Sequence, residues 1–242
     1  MKHLAQSLAV VGLISGLFMT PAQAASTLPV EGIIYKVEEG TTFDTWKIVM
    51  QSAGTFKVNL LAYESTSNSP DDAVDLNGDG RFTYLDPDTH FYLDDGSENP
   101  LLNAANHLAR CDDINNNCNS ISNDIITLNS LNEEEGAANG SIHFRRDPAF
   151  EVTLAEGSYL YLVADYRLTT DEAAAGINLG DSIRNNGDDG NYRIDFSSDT
   201  MAFSRSGNTI TVSAVPLPGA VWLFGSALLG GLGMVRRNAL WG

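Results

Sequence analysis

Residues 75–86 gather hard oxygen donors at a regular spacing: Asp75-Leu76-Asn77-Gly78-Asp79-Gly80-Arg81-Phe82-Thr83-Tyr84-Leu85-Asp86. Asp75, Asn77 and Asp79 stand at loop positions 1, 3 and 5 and turn three side-chain oxygens toward one centre. Gly80 at position 6 allows a sharp reversal. The Arg81 carbonyl follows, Thr83 contributes directly or through a water, and Asp86 closes the shell at position 12. Six to eight oxygens at about 2.3–2.6 Å suit calcium; magnesium prefers a smaller octahedron that keeps its waters. The spacing therefore predicts bound Ca2+, with Phe82 anchoring the loop to the core. Position 12 is Asp where Glu is usual, and Pro87 blocks a following helix. A structural site on a loop is expected, without a helix-loop-helix switch.

Other candidates are thinner. Asp94-Asp95 and Asp112-Asp113 are expected to face each other across a sheet edge and offer a second cation site. Asn186-Gly187-Asp188-Asp189-Gly190 reads as a turn before a strand. His90, His107 and His143 are far apart in the chain and read as isolated surface or edge residues. Tyr159, Tyr161 and Tyr166 are read as packing in preference to a sugar platform. The chain contains no Gly-x-Ser-x-Gly, no His-Glu-x-x-His and no phosphate-cradling glycine loop. No catalytic residue is expected, and the protein is read as a non-enzyme. Two other classes stay in view. A carbohydrate-binding module would show an aromatic row on a solvent-facing sheet. A secreted hydrolase would need acids of raised pKa converging in a pocket.

The two ends of the chain set its location. Met1-Lys2-His3 is a short basic start, residues 4–19 are mostly apolar without formal charge, and Ala22-Gln23-Ala24 gives a small-x-small pattern. Residues 1–24 are expected to be a secretory signal peptide. In an exported protein Cys111 and Cys118 are expected to pair and close an Asn-rich loop. At the other end residues 219–235 form an uncharged stretch of 17, the lower limit for a membrane-spanning helix, stopped by Arg236-Arg237. The chain has 14 basic and 31 acidic residues, a net charge of −17. Three of those basic residues and none of the acids lie in the two ends, so the body between is more acidic still. Such a body repels nucleic acid and attracts divalent cations.

Residues 25–212 read as one domain of strands and loops. Residues 42–50 alternate, with Trp46, Ile48 and Met50 on one face; residues 55–61 alternate likewise, with Phe56, Val58 and Leu60 on one face. The turn between them has hairpin length. Further strands are expected at 142–144, 150–154, 159–166, 192–196 and 209–212, with Glu156-Gly157 as a tight turn. Residues 171–175 form a short helix, started by a Thr169/Glu172 capping box and stopped by Gly176. The acidic stretch 65–140 is expected to hold one or two strands, one of them at 91–93, between long insertions. The fold class is all-β: an antiparallel β-sandwich, jelly-roll-like, with long acidic loops, flanked by a signal peptide and a C-terminal membrane helix.

Three resemblances sharpen these expectations. Residues 75–86 resemble the calcium loops of EF-hands and dockerins. The stretch Val215-Pro216-Leu217-Pro218, followed by Trp222-Leu223-Phe224 and the arginine pair, resembles the PEP-CTERM sorting signal in its V-P-L-P variant. That resemblance implies cleavage near the V-P-L-P by an exosortase in the inner membrane. It also implies a brief anchored stage, release to the cell surface or outside the cell, and association with exopolysaccharide or biofilm. It makes residues 213–242 a sorting segment. The segments Phe43-Asp-Thr-Trp-Lys-Ile, Gly54-Thr-Phe-Lys-Val-Asn-Leu-Leu, 92–96, 150–166 and Asn191-Tyr-Arg-Ile-Asp-Phe196 together resemble the pre-peptidase C-terminal-like β-sandwich of exported proteins. That module is not itself catalytic.

Overall fold

The computed structural model describes residues 26–67, 72–76, 78, 80, 82, 85–97, 102–113, 118–122, 124–142, 146–180, 183 and 189–215. The expected signal peptide and the 219–235 segment lie outside the described residues. Among the described residues no helix is long and apolar enough to cross a membrane.

The strands are β1 (Ser26–Val37), β2 (Gly40–Thr41), β3 (Phe43–Met50), β4 (Gly54–Leu61), β5 (Pro87–Leu93), β6 (His107–Cys111), β7 (Cys118–Ser120), β8 (Ile126–Ser130), β9 (Ala149–Leu154), β10 (Gly157–Asp165), β11 (Asp189–Ser198), β12 (Met201–Ser206) and β13 (Thr209–Ala214). They form two sheets. One has six strands in the order β2-β1-β11-β4-β9-β8, the other seven in the order β12-β13-β3-β10-β5-β6-β7. The described pairs are antiparallel except β13 and β3, which run parallel. The protein is an all-β sandwich.

The residues 51–53 turn does not make a hairpin. It is a corner: β3 lies in the seven-stranded sheet and β4 in the six-stranded one. Each strand has one apolar face, and stacking the sheets brings Trp46, Ile48 and Met50 into one core with Phe56, Val58 and Leu60. Side-by-side pairing would leave those faces uncovered, and full burial of each such side chain contributes roughly 1.5–3 kcal/mol. Glu156-Gly157 is a corner of the same kind, from β9 to β10. Aromatic rings join the layers, with Phe91 against Phe150 and Tyr161 against Phe196, both with centroids 6.1 Å apart.

A second apolar cluster lies on the outer side of the seven-stranded sheet. Tyr92, Leu160, Leu162 and Ala164 meet Leu168 and Ala173 there. Ala173 belongs to α2 (Thr170–Ala175), which has the predicted capping box and ends at Gly176 with φ +77°. The acidic stretch holds more than expected: β5 to β8, then α1 (Glu133–Gly136) and a 3-10 turn, Ala137–Asn139. The strand expected at 142–144 is not seen at Ile142, an exposed bend; residues 143 and 144 lie outside the described residues.

Candidate metal loop and the acidic end of the sandwich

The loop 75–86 follows the segment 62–74 after β4 and runs directly into β5. Glu64, fully buried, holds its start: its backbone carbonyl accepts from Val74 N–H and its carboxylate from Leu76 N–H at 3.1 Å. Gly78 and Gly80 have φ of +80° and +82°, a left-handed backbone that favours glycine. That conformation turns both N–H groups onto Asp75. Its Oδ1 accepts from Gly78 at 2.6 Å and its Oδ2 from Gly80 at 2.8 Å. A carboxylate oxygen with one donor keeps lone-pair capacity for a cation, so the winding suits Asp75 as a calcium ligand. Asn77, Asp79, Arg81 and Thr83 lie outside the described residues. Phe82 is 52% exposed and does not anchor the loop in the core as expected.

Asp86 is buried at the last loop position, and Pro87 opens β5 directly, without a helix. Arg146 donates to Asp86 Oδ2 at 2.6 Å. Desolvation pushes the Asp86 carboxyl up to about 6, against the pull of Arg146 and with the push of Asp113. Asp86 thus shares its charge with a guanidinium, and a calcium ion would have to share it too.

Register explains why acids collect here. Pro87 lies opposite Asp165 and Thr89 opposite Cys111, which brings Asp86, Asp88, Asp112, Asp113 and Asp165 to one end of the seven-stranded sheet. Arg110 Nε reaches both oxygens of the fully buried Asp88 at 2.9 Å, and Arg110 Nη2 reaches Asp112 at 3.0 Å. Desolvation, with Asp88 next, pushes Asp112 up to about 7. Cys111 and Cys118 form a disulfide across the β6–β7 pair, as expected. The expected meeting of Asp112-Asp113 with Asp94-Asp95 does not occur. Asp94 follows the far end of β5, where its carboxylate pairs with Lys47 at 2.7 Å. Among the described residues no group of three or more His, Cys, Asp or Glu is arranged to hold a metal.

His90 and His107 are not isolated. They sit on the paired strands β5 and β6, with His90 Nδ1 3.0 Å from His107 Nε2 and His90 Nε2 3.3 Å from Asp88. Tyr92 stacks on His107 at 4.8 Å. Desolvation pushes His107 down to about 4. The Asp88, His90, Tyr92 alternation was the available signal; the partner on β6 needed the register. His143 lies outside the described residues. Tyr159 and Tyr161 are buried in the core, as their alternation implied.

A cleft of about 440 Å³ runs along β1, β3 and β11 and includes Tyr35, Asp44, Trp46, Tyr192 and Arg205. Trp46 Nε1 donates to the Tyr192 oxygen at 2.9 Å, and the Tyr192 hydroxyl donates to Asp44 at 2.7 Å. Arg205 stacks 4.7 Å over Trp46. These polar groups satisfy one another along the wall of the cleft. Of the sorting residues only Val215 is described; its N–H donates to Thr200 O at 3.0 Å, directly after β13. Pro216, Leu217, Pro218, Trp222, Arg236 and Arg237 lie outside the described residues. No protein-family model, no curated protein and no solved structure matches the chain.

Proposed function

We propose that this is an exported, non-catalytic protein of the cell surface or extracellular matrix, stabilised by calcium and released from a membrane anchor by an exosortase. The observation that carries the calcium part is the winding of the Gly78 and Gly80 N–H groups onto Asp75. Calcium would be held by Asp75, Asn77, Asp79, the Arg81 carbonyl, Thr83 and Asp86. It would neutralise part of a strongly acidic surface and tie the end of β4 to the start of β5. The chain passes from sheet to sheet at successive corners, which supports the jelly-roll-like reading.

The sorting part rests on the residues 215–237 and on their position. The last strand, β13, ends at Ala214, and Val215 is still bonded to the domain. Cleavage at the V-P-L-P would therefore fall at the edge of the folded sandwich and release it whole. Exopolysaccharide is the proposed partner after release, and the inner membrane only a transient one. In cells that have the sorting enzyme, mass spectrometry of the surface-located protein should find no peptide containing Trp222. With Pro216 and Pro218 both changed to Ala, the uncut form should accumulate in the membrane fraction. A Trp222 peptide on the surface protein of normal cells would make the segment a plain anchor.

A further inference from the structure

We infer that Arg146 is a built-in competitor at the calcium loop: its guanidinium stands in for the ion on Asp86 and sets how tightly the loop takes calcium. The inference rests on the calcium reading of residues 75–86 and adds the regulation of that site. Asp86 stands at position 12, where calcium loops commonly give both oxygens of a carboxylate to the ion. Arg146 Nη1 donates to Asp86 Oδ2 at 2.6 Å, a short charge-assisted bond. Asp86 is buried, whereas the Arg146 side chain is 43% exposed. The carboxylate sits inside, and its cation reaches it from the surface. Asp113 is close enough to act on both charges.

The backbone presets this reach. Asp147, next in the chain, accepts from the Ala62 and Tyr63 N–H groups at 2.9 Å and from the Ser141 hydroxyl at 2.6 Å. The Pro148 carbonyl then accepts from Leu60 N–H at 3.1 Å. Arg146 lies over the buried Tyr63 ring, its guanidinium carbon 5.8 Å from the centroid. Glu64 follows Tyr63 and holds the start of the loop through Leu76 N–H. One short stretch, residues 62–64, thus supports the first residues of the loop and the arginine on its last. Charge decides what the arrangement does. Without metal, Arg146 offsets the charge of Asp86 and keeps the end of the loop in place before Pro87. Calcium on Asp86 brings two positive charges beside a third, and like charges a few ångströms apart repel. Water around the exposed part of Arg146 screens that repulsion without removing it. The two effects of Arg146 therefore have opposite signs: it stabilises the metal-free fold and lowers calcium affinity. A residue that only braced the loop would raise both.

The test is calorimetric titration of the full chain, in mild detergent, with calcium chloride, paired with thermal melting in EDTA. Arg146→Gln removes the charge and keeps a donor for Asp86. It should tighten the calcium dissociation constant about tenfold and lower the melting temperature in EDTA. Arg146→Met is the second variant and should act in the same two directions. Arg146→Lys keeps the charge and should keep the parent's dissociation constant. With Asp86→Asn in place, Arg146→Gln should no longer change calcium affinity. The inference alone is overturned if the parent binds calcium and Arg146→Gln and Arg146→Met bind it equally or more weakly. It is also overturned if Arg146→Lys tightens binding as much as Arg146→Gln, because the charge would then not matter. If neither the parent nor any variant takes up calcium, the reading of the loop falls and the inference falls with it.

Discussion

The two outer faces of the sandwich are built oppositely. On the seven-stranded sheet, β10 is buried on both sides: Tyr159 and Tyr161 face the core, while Leu160, Leu162 and Ala164 face a second apolar cluster under α2. Asp88, His90 and Arg110 lie on the same outer side, with Asp88 and His90 buried and bonded. On the six-stranded sheet the outer positions of β4, β9 and β11 are Thr55, Lys57, Asn59, Glu151, Thr153, Asp195 and Ser197. A strand buried on both faces reads as a continuous apolar run, and one with a wet face alternates. The difference separates the two layers: one face is sealed by its own chain and the other turns polar rows outward.

Substitutions at matched positions sharpen that contrast. Leu162→Ala, on the sealed face, should lower the unfolding free energy by about 2–5 kcal/mol. Thr153→Ala, on the open face and bonded only to Thr55 Oγ1 at 2.8 Å, should cost within about 1 kcal/mol. Denaturant unfolding of both variants checks this; equal losses would mean that both faces are sealed.

An effect below that of Leu162→Ala is expected from reducing the Cys111–Cys118 bridge on the edge of the seven-stranded sheet. The loop-entropy model for so short a ring gives about 2–3 kcal/mol at most. Hydrogen exchange should show faster opening of β6 and β7 after reduction, with β9 and β11 unchanged. Uniform loss of protection would show that the bridge holds the whole fold.

Asp147 probes the open side. It is buried and accepts from the N–H groups of Ala62 and Tyr63 and from the Ser141 hydroxyl. Burial nevertheless pushes its carboxyl up to about 7, above the roughly 3.9 of an unfolded Asp. The sign follows from linkage: the folded state holds the proton more tightly, so this contribution to stability is complete below about pH 4 and is lost as pH rises through about 7. Asp147→Asn should flatten the stability profile between pH 4 and 7, leaving the slope that Asp86 and Asp112 add in the same direction. An unchanged slope in pH-dependent unfolding would show that Asp147 stays ionised.

The strands with clean alternation, β3, β4, β9 and β11, were legible in the sequence, as was α2, whose capping box is local chemistry. The pairing of β3 and β4 was not, because a short turn serves a hairpin and a sheet-to-sheet corner equally well. β1 was missed because Pro29 and Gly32 break its pattern. Pro29 is tolerated there because β2 pairs only with Lys36 and Val37, so the first part of β1 is an edge without a donor to lose. The proposal of a metal loop rests on spacing, while the companionship of Asp86 with Arg146 and of His90 with His107 needed long-range register.

The central claim is that residues 75–86 bind calcium and that the fold gains from it. Thermal melting of the purified protein, first with EDTA and then with excess calcium, tests it most directly. At a hundred times the dissociation constant a ligand of the folded state adds roughly 2.7 kcal/mol, which should raise the melting temperature by several degrees. Asp79→Ala should remove most of that rise. No shift on adding calcium, with no bound metal by elemental analysis, would contradict the account.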